Sequence, residues 1–170
     1  MHAKTFFTTM ARYNLWMNER IFDCCEQLPA AERRRDRGAF FKSIHGTLNH
    51  ILLGDRLWLG RFSGEPFTGF SQLGEELYTD FVELRSERAG TDAEILDFVD
   101  GLDEDRIAGE LRYTTFVNPA ARAAPLWQPL MHFFNHQTHH RGQVTTLLFQ
   151  AGVDPGVTDL IYLPDMPASA

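Results

Sequence analysis

The feature that most limits this chain is a run of about 25 residues with one helical period throughout. From Pro125 to Ala151 apolar side chains recur as Leu126, Leu130, Phe133, Val144 and Leu148, with Gly152 as a stop. Proline suits a first helical turn, so Pro125 is read as the start. A helix this long with one apolar seam must bury that seam against other helices. Beside the seam lie His132, His136, His139, His140 and Gln143, all within an arc of roughly 100° at 3.6 residues per turn. Four of the chain's seven histidines thus fall on one helix face. Positions four apart are neighbours on a helix, so His136 and His140 stack one turn apart, a spacing that lets two imidazoles reach one metal ion. Spacing by itself leaves a histidine-rich surface as the alternative.

Three further segments share the period. Phe6, Met10, Tyr13, Met17, Ile21 and Cys25 predict an amphipathic helix from Thr5 to Leu28, closed by Pro29. Ser43 is placed to cap a second helix running to about Phe62, before Gly64 and Pro66, with Ile44, Leu48, Ile51, Trp58 and Phe62 on one side. Leu73, Leu77, Phe81, Leu84, Ile95, Phe98 and Val99 predict a third from Ser71 to about Leu102, bent or split at Gly90. Between the first two, Glu32-Arg33-Arg34-Arg35-Asp36-Arg37-Gly38 reads as a solvated loop. The helical pattern lapses from Asp103 to Ala124. There Leu111 to Val117 has strand composition and Asn118-Pro119 a turn, so a small hairpin is expected before the last helix. The tail from Asp154 to Ala170 is expected to be irregular, with Leu160-Ile161-Tyr162-Leu163 folded back on the helices. The fold expected is all-α, an antiparallel four-helix bundle in a single domain over residues 1–170.

Bulk properties exclude some functions. A net charge of −7 argues against a nucleic-acid binder, which needs basic surface to neutralise phosphates. No apolar stretch approaches the ~20 residues that cross a bilayer, and the N-terminus lacks the pattern of a secretory signal. The only cysteines, Cys24 and Cys25, are adjacent and fit reduced thiols. A cytoplasmic location is therefore expected.

Two stacked imidazoles need a third ligand to make a tight site. His50, mid-helix beside the seam of the second helix, is the best candidate, with Gly46 and Gly54 leaving room one turn to either side. Three imidazoles leave positions open for water or substrate, as in catalytic rather than closed structural zinc sites. Imidazole equally suits nickel, iron and copper. Asp55 projects into the apolar stripe, where a carboxylate needs a partner. Asn14 and Asn18, one turn apart beside the first seam, are the expected partners, in a structural polar network rather than a catalytic one. Gln143, one turn beyond His140, is placed to hydrogen-bond a bound water or substrate. No Asp or Glu shares the histidine face of the last helix, so the base of a His-Glu-x-x-His peptidase is missing.

At Tyr13-Asn14-Leu15-Trp16-Met17-Asn18-Glu19-Arg20, Gly46-Thr47-Leu48-Asn49-His50-Ile51, Asp55-Arg56-Leu57-Trp58-Leu59 and Phe134-Asn135-His136-Gln137-Thr138-His139-His140-Arg141-Gly142-Gln143, the chain resembles the DinB/YfiT-like metalloenzyme family. The resemblance spans nearly the whole chain, and His-x-x-x-His-Arg-Gly-Gln is its most specific element. It implies a four-helix bundle, usually a homodimer, with His50, His136 and His140 holding a divalent metal, commonly zinc or nickel. His132 and His139 then stand behind or beside the ligands, with His139 a substitute. Some relatives are similar to thiol S-transferases acting on a low-molecular-weight thiol, others to mycothiol-dependent isomerases. The function expected is thus a metal-dependent enzyme of thiol S-transferase or hydrolase type. The alternative is a non-enzymatic metal-binding or stress-response protein whose metal is structural.

Overall fold

A computed structural model describes residues 2–164 and 166. The structure is mostly helical. Four long helices dominate: α1 (Ala3–Glu26), α3 (Ile44–Ser63), α4 (Phe81–Asp100) and α6 (Trp127–Gln150), with short helices α2 (Ala30–Arg34) and α5 (Glu104–Ala108) between them. Helix α1 packs on α4 and α6, and α3 packs on α6 and α4, so the long helices enclose a common interior. Strands β1 (Glu110–Thr114) and β2 (Ala121–Pro125) pair antiparallel, Leu111 opposite Ala124 and Thr114 opposite Ala121. This is the hairpin expected from the sequence.

The helix ends follow local chemistry. Ser43 caps α3 by accepting from the Gly46 N–H at 3.0 Å, and Gly64 ends it at φ +79°, a conformation glycine adopts without strain. The third long helix is shorter than its apolar spacing predicts. It begins at Phe81, where the Asp80 side chain accepts from the Glu83 N–H at 2.9 Å, and it runs through Gly90 without a break. Residues 71–80 form a loop, and the backbone groups of Leu73 and Tyr78 within it are spent on α3. Leu73 O takes His50 Nδ1 at 2.8 Å, while Asn49 bonds both the Tyr78 N–H and the Tyr78 carbonyl. Those backbone groups are not free to form helical bonds.

Other expectations are corrected. Pro125 closes β2 rather than opening the helix: the Leu126 N–H donates to Gly109 O at 2.8 Å, and α6 starts at Trp127. The stripe of α1 begins at Phe7, which is buried, while Phe6 on the outer side is exposed. The arginine-rich connection is not simply solvated. It contains α2, and Arg33 lies over the Phe81 ring at 4.2 Å while Arg37 pairs with Glu32 at 2.6 Å. Helix α5, capped by Asp103, falls where the helical period lapses, and five residues are too few to show one. The tail does fold back: Leu163 is buried in the core and the Tyr13 hydroxyl donates to Thr158 O at 2.5 Å, but Ile161 and Tyr162 face outward. Residues 165 and 167–170 of the expected tail lie outside the described residues.

One layer between the long helices is polar, and it ties them together. Asp55 of α3 accepts from Arg88 of α4 at 2.6 Å. Arg88 also pairs with Asp92 at 2.9 Å, one turn along α4. Asp92 accepts from Asn14 at 2.7 Å and Asn18 at 2.9 Å, both on α1, and Asn14 in turn accepts from Arg141 of α6. The expected residues do meet in a buried polar network, but its pairing differs from the expected one. The partner of Asp55 is Arg88, and the asparagines serve Asp92. Two carboxylates face two guanidiniums, so the buried charge balances. Burial pushes the Asp55 carboxyl up to about 6 against the pull of Arg88. Burial works against the Arg88 charge, but the two carboxylates outweigh it and hold its proton more tightly than usual.

Candidate metal centre

The three histidines singled out by spacing meet between α3 and α6. His50 Nε2 lies 3.2 Å from His136 Nε2 and 3.2 Å from His140 Nε2, and one nitrogen from each ring falls within 4.8 Å of the others. His136 and His140 are brought together by the single helical turn between them. His50 reaches them because the α3–α6 contact is close at Gly54. A Cβ there would stand 2.8 Å from His136 Cε1, inside van der Waals contact. The room that Gly54 leaves is thus taken by the His136 ring. Gly46 serves a different neighbour, the Phe41 carbonyl.

The remaining ring nitrogens fix two of the tautomers. His50 Nδ1 faces the Leu73 carbonyl at 2.8 Å, and a carbonyl only accepts, so this nitrogen carries the proton. His140 Nδ1 lies 2.8 Å from Gln143 Oε1, whose amide nitrogen in turn faces His139 Nε2 at 3.3 Å. Each neutral ring then presents a bare Nε2 lone pair to the other. Two lone pairs at 3.2 Å repel unless a positive centre lies between them. Imidazoles around a tetrahedral ion with roughly 2.0–2.1 Å bonds place their nitrogens about 3.3 Å apart, so the spacing fits a metal. His136 Nδ1, packed on Gly54, has no hydrogen-bond partner among the described residues.

Electrostatics favours the ligating form. Burial pushes His50 down to about 4, against the Leu73 carbonyl bond. Burial, then the neighbouring His140 and His50, push His136 down to about 3. His140 is lowered by burial too, against its bond to Gln143. All three are neutral at pH 7 and ready to donate a lone pair. Phe41, which no sequence pattern marked, stacks on His50 with centroids 3.7 Å apart and meets His140 edge-on. It helps to dehydrate the cluster.

The other expected residues take distinct places. Gln143 orients His140 rather than reaching past it. His139 stands outside the three-nitrogen group, edge-on to His140 at 4.8 Å. His132 lies one turn before His136, with ring centroids 6.0 Å apart, against Trp58, and burial and the Arg61 charge lower its pKa. Asp55 and Asn14 belong to the polar layer behind the cluster, not to the cluster itself. Arg141, beside His140 in sequence, points into that layer, where burial lowers its pKa to about 10. Cys24 and Cys25 are buried in the core, and burial pushes the Cys25 thiol up to about 12.

Two cavities open onto the histidines. One, of about 580 Å³, lies between α3, α6 and the hairpin. The other, of about 880 Å³, lies between the α2–α3 connection, residues 72–76 and α6. His50 and His136 line both.

Fold and site together define a mostly helical protein with a three-histidine cluster, between two long helices, that could hold a metal ion. The sequence profile of the DinB family matches residues 1–168, and the chain belongs to that family. It is also 29% identical to protein DinB of Bacillus subtilis (strain 168), an alignment taking in 93% of this chain and 94% of that one. Among the described residues, no helix is long and apolar enough to cross a membrane.

Proposed function

We propose that this protein binds a divalent metal, zinc or nickel, through Nε2 of His50, His136 and His140, and that it is a metal-dependent enzyme of thiol S-transferase or hydrolase type. The observation that carries the reading is the facing pair of lone pairs on His50 and His140, each tautomer fixed from behind by Leu73 O or Gln143. Bound at such a site, a metal lowers the pKa of a coordinated water or thiol and so supplies a nucleophile near neutral pH. The chain's own part is to hold the rings. Leu73 and Gln143 orient two of them, Gly54 lets the third approach, and Phe41 shields the cluster. Three ligands leave room for substrate, and the cavities on either side give it access. With no carboxylate on the histidine face of α6, a low-molecular-weight thiol bringing its own nucleophile is the substrate this site favours.

We read the ring of four long helices as one antiparallel four-helix-bundle domain, acting in the cytoplasm as a homodimer. Elemental analysis of untagged protein tests the metal. The expected result is about one equivalent in wild type and a large loss in His136→Ala, and equal content in both would sink the reading. One observation favours a structural role instead: His50 sits on α3 and the other two histidines on α6, so a metal would cross-link the helices. In that case chelation lowers the melting temperature sharply and no thiol or ester substrate turns over.

A further inference from the structure

The 580 Å³ cavity has a chemistry of its own. On α3 its wall is Gly54, Leu57, Trp58 and Arg61, a single stripe at three- and four-residue spacing. On α6 it is Pro129, His132 and His136. The hairpin roofs it with Tyr113, Thr115 and Phe116, and Phe116 packs on Phe70 of the preceding loop at 4.8 Å. This roof is what the hairpin contributes to the site.

Among the described residues Arg61 is the only lysine or arginine that lines the cavity, no Asp or Glu lines it, and burial keeps its histidines neutral at pH 7. The guanidinium lies over the Trp58 ring at 4.5 Å and the Tyr113 ring at 5.7 Å. Among the described residues it makes no ion pair and no hydrogen bond to a carboxylate, carbonyl or hydroxyl, whereas Arg56 on the same helix and the buried Arg88 and Arg141 are all so engaged. Stacking satisfies the faces of a guanidinium but leaves its in-plane N–H donors unused, and those donors match a carboxylate two at a time. A half-buried fixed charge in an apolar cavity, with its donors unused, selects an anion. A single cation, with no second lysine or arginine among the described residues lining the cavity, balances one negative charge, which points to a carboxylate rather than a phosphate dianion.

We propose that this cavity is a substrate subsite that takes an apolar or aromatic monocarboxylate, its carboxylate held by Arg61 and its body lying along Trp58 and Leu57 toward the three histidines. Arg61 is seven residues from Gly54, which touches His136, so the two ends stand about 10 Å apart along α3. A ring with a two- or three-carbon arm spans that distance. In this arrangement the 880 Å³ cavity on the other side of His50 and His136 stays free for the second reactant, as a transferase needs. The inference rests on the metal reading for which end of the ligand faces the reacting centre, but not for the charge selection.

Calorimetric titration of the full chain with hydrocinnamate and its neutral amide tests it. In wild type the acid is expected to bind at least ~10-fold more tightly than the amide, the scale of one charge-assisted pair. Arg61→Gln should bring the two to parity, Arg61→Lys should restore part of the preference, and neither variant should change the melting temperature by more than a few degrees. Chelator-treated wild type should keep the preference, whatever elemental analysis says about the metal, which separates this inference from that reading. Equal binding of acid and amide, no measurable binding of the acid at millimolar concentration, or a preference that survives Arg61→Gln would overturn it. So would a preference that disappears with chelator, since the carboxylate would then be a metal ligand.

Discussion

Gly54→Ala separates the role of a helix residue from the role of a site. In an exposed helix interior, replacing glycine with alanine stabilises by roughly 0.5–1 kcal/mol, because alanine gives up less backbone entropy on folding. Gly90 of α4 is such a position, exposed and with nothing within 4 Å of an added Cβ, so Gly90→Ala should gain about that much. At Gly54 the same methyl would meet His136 Cε1 at 2.8 Å. Ordinary carbon contacts stand at about 3.5–4.0 Å, so the ring must retreat by roughly 0.7 Å or more. Overpacking of this kind costs about 1–3 kcal/mol, which cancels or exceeds the propensity gain. The effect on metal is larger in relative terms, because ligand distances must hold to within about 0.2 Å. A loss of about 10–100-fold in affinity is expected, the scale seen when the support of a metal ligand is removed. Thermal unfolding of both variants, with and without chelator, and competition titration with a chromophoric chelator read out the two effects. If Gly54→Ala binds metal like wild type, the close approach at Gly54 does not position His136, and the geometric argument for the site fails.

Two further outcomes follow from buried charge. Arg88→Met leaves Asp55 and Asp92 without their cation and should cost about 3–5 kcal/mol in urea unfolding, whereas a loss under 1 kcal/mol would mean the polar layer carries little. Acid should destabilise the metal-free protein through the histidines. Their folded pKa values, about 4 for His50 and about 3 for His136, lie below the ordinary 6.5, so the unfolded chain binds more protons as pH falls from 6.5 toward 4 and stability is lost in that window. Asp55, raised from 3.8 to about 6, has the opposite sign but a smaller shift. The net loss between pH 7 and pH 5 comes to about 2 kcal/mol, and chelator-treated protein that is equally stable at both would refute it.

How much of this was legible in the sequence depended on whether the signal was local. His136 and His140 are one turn apart, and a turn is a short-range fact, so their pairing could be read directly. His50 could be chosen because it stood mid-helix beside an apolar seam. The orienting partners could not all be found this way. Gln143 was visible as a neighbour on the helix face, but its role toward His140 depends on a rotamer. Leu73 O and Phe41 come from loops, where no period announces a contact. The same limit explains the over-long third helix. Leu73 and Leu77 keep helical spacing, but tertiary demand for the backbone groups of Leu73 and Tyr78 overrides it.

The mispairing of Asp55 has a deeper cause, and it bears on why the site is where it is. Composition shows that a buried carboxylate needs a partner; it does not show which of several helices supplies one. Asparagines one turn apart were a reasonable match, yet they donate to Asp92, because Arg88 and Asp92 bring both charges into the interior on a helix whose seam looked merely apolar. Gly54 and Asp55 are adjacent on α3 and face different neighbours, Gly54 the His136 ring and Asp55 Arg88. On α6, His140 and Arg141 do the same, one toward the cluster and one toward Asn14. Each helix therefore anchors its histidine side by fixing the next residue in the charge-balanced layer. A slip of α3 or α6 that opened the cluster would also pull Asp55 from Arg88 of α4 or Arg141 from Asn14 of α1, and a buried charge left without its partner costs several kcal/mol. On this argument the polar layer is what keeps three imidazole nitrogens at ligand spacing, and damage to it should loosen the metal site before it unfolds the protein.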